Sequence, residues 1–171
     1  MKRLAILKGI GAIGTAVMLM GTSAMANVGI VKLTIGSDVM VIDGKPVQMD
    51  AAPYIQASTG TTLVPLRYVV QALMGFNDDA NLENNFLWDA NNKVATVMYG
   101  SGTGTLEQKI MQFTVGSNKF VVNGYIKDIP NGAVPEIKNG RCYIPIKAVS
   151  DSLGCTALWD ANTKSVTFRQ G

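Results

Sequence analysis

The sequence predicts an α+β protein built from two repeated units, each a small antiparallel sheet packed around one short helix. Three observations lead there. Residues 35–73 lie over 115–153 at a constant offset, so that VMVIDG (39–44) matches KFVVNG (119–124), Gly60 matches Gly140 and Pro65 matches Pro145. After an excess of residues in the first copy, WDANNKVATVMYG (88–100) lies over WDANTKSVTFRQG (159–171). Within each copy, β-branched runs punctuated by glycine and asparagine surround a single stretch of helical periodicity.

The chain begins with an address. Lys2, Arg3 and Lys8 form a positive segment, Ile10 to Met20 is apolar or small, and Ala24-Met25-Ala26 is a small-x-small cleavage pattern. Residues 1–26 are therefore expected to be a signal peptide cut before Asn27. The apolar run is well short of the roughly 20 residues that span a bilayer. No second apolar segment follows, so a secreted or extracellular product, with no transmembrane segment after cleavage, is expected. The complete sequence has 15 Lys+Arg against 12 Asp+Glu. Three of those bases lie in the leader, which leaves the remainder formally neutral and gives no reason to expect a nucleic-acid partner.

The first copy, 27–100, opens with two β-rich runs, Val31 to Ile35 and Val39 to Ile42, joined through Gly36-Ser37-Asp38. Asp43-Gly44 is a turn signal before a third run, Pro46 to Met49. Ala51 to Ser58 reads as irregular, with Pro53 opposing a central strand. Thr62 to Val64 is the next strand. Pro65 is then expected at the first helical position, where a missing N–H has no cost. Leu66, Val69, Val70 and Leu73 form one apolar helix face, and Gly75 can close it. Phe86 to Trp88 and Val94 to Tyr99 form a hairpin whose Asp89 can accept bonds from loop N–H groups.

The second copy, 109–171, repeats this plan after a Gly-Ser-Thr linker at 101–108. Pro145, Ile146, Val149, Leu153 and Gly154 restate the helix, and Trp159-Asp160 restates the hairpin. Helices of about nine residues are marginal alone and must lie on the strands. Units this small bury too little surface to be robust singly, so the two are expected to pack on each other or on another chain.

These residues resemble the copper amine oxidase N-terminal-like domain, also called the stalk domain. The resemblance rests on the Val64-Pro65-Leu66-Arg67 and Ile144-Pro145-Ile146-Lys147 helix starts, on Leu153-Gly154, and on Trp-Asp-Ala-Asn at 88–91 and 159–162. It covers nearly all of the chain after the leader, twice over. It implies a small antiparallel sheet wrapped around a helix, and an accessory module of exported bacterial proteins, often in tandem or beside hydrolases and wall-binding parts. It also implies a scaffold or binding role at the cell surface or cell wall, with protein or wall polymer as partner and self-association as a further expectation.

The chemistry of the oxidase does not follow from that name. The sequence contains no histidine, and imidazole is the usual nitrogen ligand of copper and the base of ordinary serine and cysteine triads. Gly100 to Gly104 lacks the Lys-[Ser/Thr] that would make a phosphate loop. No catalytic residue and no cofactor is therefore assigned.

Three groups remain as candidates. Asp78, Asp79 and Glu83, in the excess of the first copy, offer oxygens suited to calcium, but without EF-hand spacing; a solvated loop is the plainer reading. Trp88 and Trp159 are candidate ligand contacts for sugar rings, while their matched places at the head of a hairpin argue for core or inter-repeat packing. Cys142 and Cys155 are the only cysteines; an exported chain permits a disulfide between them, and two thiols are the alternative. Their counterparts, Thr62 and Phe76, show that the unit can be built without a bridge. Arg67 and Lys147, placed in first helical turns where the dipole disfavours a cation, are expected to find a carboxylate such as Asp89 or Asp160.

Overall fold

A computed structural model describes residues 30–74, 84–99 and 108–170. The expected signal peptide, the calcium candidates Asp78, Asp79 and Glu83, Gly75, and residues 101–107 of the linker lie outside these. Within them the chain is mostly antiparallel sheet with two short helices. The α+β class holds.

The strands of the first copy are β1 (Val31–Thr34), β2 (Val39–Ile42), β3 (Lys45–Gln48), β4 (Tyr54–Gln56) and β5 (Thr61–Pro65), followed by helix α1 (Leu66–Met74), β6 (Phe86–Asp89) and β7 (Val94–Tyr99). The second copy supplies β8 (Lys109–Thr114), β9 (Lys119–Val122), β10 (Tyr125–Asp128), β11 (Glu136–Lys138) and β12 (Arg141–Pro145). Helix α2 (Ile146–Leu153), β13 (Cys155–Asp160) and β14 (Ser165–Gln170) complete it.

Strand pairing does not give each copy a sheet of its own. One five-stranded sheet runs β13-β14-β1-β2-β3, a second runs β10-β9-β8-β7-β6, and a four-stranded sheet runs β11-β12-β5-β4. Every sheet thus draws strands from both copies. Val31 lies opposite Phe168 and Leu33 opposite Val166, and the matched positions Met111 and Phe113 lie opposite Val97 and Ala95. At the centre, β5 and β12 pair antiparallel with Val64 opposite Ile144. Those two residues are counterparts in the duplicated sequence, so the two halves are related by an approximate twofold through that pair. The arrangement of one sheet per repeat is replaced by three shared sheets.

Alternation in the strands explains the shared core. In β8, Met111 and Phe113 are buried while Ile110 and Gln112 face outward, a period of two that points one face inward. The principal core joins Leu33, Met40, Val97, Phe113 and Phe168 to Leu66, Val69, Ile146 and Val149 of the helices. Each helix touches both central strands, β5 and β12, and so lies on strands of both copies. That burial is what stabilises helices this short.

Local details follow the residues, with two differences. Asp43-Gly44 and Asn123-Gly124 each have two successive positive φ angles, the type I′ geometry whose twist suits a two-residue hairpin. Gly154 ends α2 in the left-handed region at φ 71°, donating its N–H to Ser150 O. Pro145, however, is extended at ψ 119° and serves as N-cap rather than first helical residue; Pro65 likewise closes β5. The span 51–58, expected to be irregular, contains β4. It is held there by side chains: Gln56, only 3% exposed, bonds through both ends of its amide to the backbone of Val134.

Candidate functional site

A pair of related grooves, each lined by a tryptophan, is the candidate site. Trp88 on β6 stands opposite Ala95, and Trp159 on β13 stands opposite Val166. Trp88 is 40% exposed and Trp159 47%. Neither is core, one of the two packing roles their matched placement suggested, and each lines a groove with residues of both copies. Among the described residues β6 and β13 are sheet edges, each with a strand neighbour on one side only.

The turns behind both indoles are fixed by the aspartates that follow them. Asp89 Oδ1 accepts from the N–H of Asn91 and of Asn92 at 2.9 and 3.0 Å, and Oδ2 accepts from Asn92 Nδ2 at 2.7 Å. Asp160 accepts from Asn162 N at 2.9 Å and from Thr163 Oγ1 at 2.8 Å. The bonds from Asn92 and from Thr163 hold the two carboxyls below their ordinary range. Turn formation is therefore the use of these aspartates. Lys147 takes a different partner from the one expected, Asp151 at 3.2 Å one helical turn on.

The larger groove is a cavity of about 680 Å³ lined by Arg67 and Tyr68 of α1, Phe86 and Trp88 of β6, and, from the other copy, Ile137 and Arg141. Arg141 is held by Asp50: its Nε donates to Asp50 Oδ1 at 3.1 Å and its Nη2 forms an ion pair with Oδ2. The Arg141 guanidinium keeps the Asp50 carboxyl below its usual range. The Tyr68 hydroxyl, in turn, accepts the Asp50 N–H at 3.0 Å. The groove wall is thus a bonded chain across the two copies.

The smaller groove, about 320 Å³, is lined by Ile55 and Thr62 of the first copy and by Lys147, Ala157 and Trp159 of the second. Its parts are counterparts of the larger one: Lys147 stands for Arg67, Trp159 for Trp88, Thr62 for Cys142 and Ala157 for Phe86. Substituting Ala157 for Phe86 and Ala148 for Tyr68 removes aromatic surface, so the two grooves share a plan but not a lining.

Cys142, at the edge of the larger groove, and Cys155, at the start of β13, are both free thiols. They stand on different sheets. Burial pushes the Cys142 thiol up to about 11 and raises Cys155 as well. Both are protonated near neutral pH, which makes them poor nucleophiles and poor metal ligands. Among the described residues no group of three or more His, Cys, Asp or Glu side chains could hold a metal ion, and no helix is long and apolar enough to cross a membrane.

Sequence reasoning named both tryptophans but missed the partners that complete each groove. Arg141 and Ile137 are distant from Trp88 in the chain, and only the exchange of strands between copies brings them together. The family model described as Copper amine oxidase N-terminal domain matches this chain over residues 13–77 and 41–168. No curated protein matches, and no solved structure does.

Proposed function

The chain belongs to the copper amine oxidase N-terminal domain family, a non-catalytic domain, and from that premise we propose that it is an exported, non-catalytic binding module of the cell surface or cell wall. Its role is to hold the surface polymer and act as a scaffold there. The observation that carries this reading is the duplicated groove: an exposed indole and a basic side chain from the first turn of a helix, repeated in both halves.

An exposed indole offers a flat apolar face on which the C–H face of a sugar ring can lie, and its neighbours supply orientation. Arg67 and Lys147 line the same grooves as the indoles, and a guanidinium or ammonium, the latter shared with Asp151, suits the carboxylates or phosphates that wall polymers carry. Two such grooves on one chain whose copies share a core favour a repeating ligand, because the second contact is made at high effective concentration. The polymer-binding role is thus preferred over a scaffold that contacts protein alone.

The test is retention of the purified chain on isolated cell walls, compared with Trp88→Ala, Trp159→Ala and the double variant. We expect each single variant to be retained less and the double variant to wash through, while all remain folded by circular dichroism. A folded double variant retained like the parent, or a parent that is not retained, would sink the proposal.

A further inference from the structure

The two ends of the duplicated sheets are not equivalent. β3 closes one five-stranded sheet and β10 closes the other. Pro46 of β3, opposite Val41, is the counterpart of Ile126 of β10, opposite Val121. Proline has no N–H to offer an incoming strand, and its place on an edge is a usual way of blunting it. β10 carries no such block. Instead Tyr125 is 75% exposed and Ile126 70%, on an edge strand that pairs only with β9 among the described residues.

The hairpin fixes which backbone groups of β10 point outward. Asn123 donates its N–H to Ile110 O at 2.9 Å, toward β8. Its neighbour Val122 therefore turns its groups toward β10, where it faces Tyr125 across the Asn123-Gly124 turn. By the alternation of antiparallel ladders, Tyr125 and Lys127 bond inward, and the N–H and C=O of Ile126 and Asp128 face away from the sheet.

We propose that β10 is the docking edge for a second copy of this chain, forming a twofold dimer in which the two sheets continue through antiparallel β10 strands. One register satisfies both backbone and side chains. Ile126 opposite its twin exchanges two N–H···O bonds, because its outward groups meet themselves across the axis. Tyr125 then stands opposite Lys127 of the other copy, and Lys127 opposite Tyr125, so that each ring lies beside an ammonium stem. Asp128 meets Gly124, which has no side chain to obstruct it. An interface of this kind is self-complementary, as a closed twofold contact requires. It leaves the tryptophan grooves untouched, so its failure and theirs are separable.

Sedimentation velocity on the purified chain, over a concentration series reaching the millimolar range, tests it. The parent is expected to pass from monomer to dimer. Ile126→Pro, which copies the blunted edge, and Ile126→Lys, which sets like charges opposite each other, are expected to remain monomeric. Pro46→Ile is expected to give species beyond the dimer, by opening the second edge. Melting curves check that each variant is folded, and Ile126→Lys decides the matter if the proline variant is not. A parent that stays monomeric throughout, or a dimer that survives in a folded Ile126→Lys variant, overturns the proposal.

Discussion

Val64 and Ile144 lie opposite each other in the central antiparallel pair, and each is the other's counterpart in the duplicated sequence. Both are fully buried. The point where the two copies become equivalent is thus also the middle of the shared core, and neither copy can lose its packing there without the other.

One cooperative unfolding transition is therefore expected for the described body, with no separate melting of the halves. Ile144→Ala should lower stability by about 2–5 kcal/mol, the usual range for truncating a buried isoleucine. Denaturant titration followed by circular dichroism and by tryptophan fluorescence reads both. Trp88 and Trp159 report from different sheets, and non-coincident transitions would contradict a single core.

A second bond between the copies is polar. Glu136 on β11 accepts the Tyr54 hydroxyl at 2.5 Å and the Gln56 amide, joining the two edge strands of the four-stranded sheet. Tyr54 also packs edge-on against Tyr143, with ring centroids 4.9 Å apart, and Lys138 Nζ lies 4.1 Å from the Tyr54 ring centre. Burial, then Glu136, raises the Tyr54 phenol well above its ordinary range, so it donates at any moderate pH. Glu136→Ala leaves the Gln56 amide and the tyrosine short of an acceptor and should cost about 1–3 kcal/mol. Tyr54→Phe keeps the ring contacts and should cost less; equal losses in thermal melts would assign the effect to something other than the hydrogen bonds.

Acid should weaken the molecule through Asp50, Asp89 and Asp160. Their folded-state carboxyls lie below the ordinary value of 3.8, so they contribute stability above that pH and lose it as pH falls through their folded values. All three are solvent-facing, and the effect is correspondingly small. In melting temperatures across the acid range, Asp50→Asn should flatten part of the decline, and an unchanged profile would show that the Arg141 pair contributes nothing.

The C-terminal end of α2 offers a further check. Lys109 Nζ donates to Ser152 O at 3.0 Å, joining the first strand of the second copy to a helix carbonyl that has no helical partner. Lys109→Met retains the stem and removes the donor. A loss of about 0.5–1.5 kcal/mol is expected in chemical denaturation, and a neutral result would place the bond among those that solvent replaces at no cost.

The exposed indoles separate binding from folding. Trp88→Ala and Trp159→Ala should cost clearly less than the roughly 3–5 kcal/mol of removing a core aromatic, whereas Phe113→Ala and Phe168→Ala, both fully buried, should reach it. Urea midpoints for the four variants test this ordering, and a tryptophan variant as damaged as Phe113→Ala would return that residue to the core.

What the sequence by itself determined is local. The β-rich runs of β1 and β2, the Asp43-Gly44 turn, the apolar faces of both helices, the Gly154 stop and the turn-forming Asp89 and Asp160 depend on residues a few places apart, and all were legible. The duplication was legible for the same reason, since matching stretches need no folding to be compared. Tertiary structure alone decided which strand pairs with which. A strand of the first copy carries the same apolar face whether it meets its own β7 or the other copy's β14, and similar copies offer similar edges, so pattern cannot choose between them. That choice brings Arg141 and Ile137 to Trp88, leaves both tryptophans at sheet edges, and sets Glu136 against Tyr54, because each of these contacts exists only where strands far apart in the chain lie side by side.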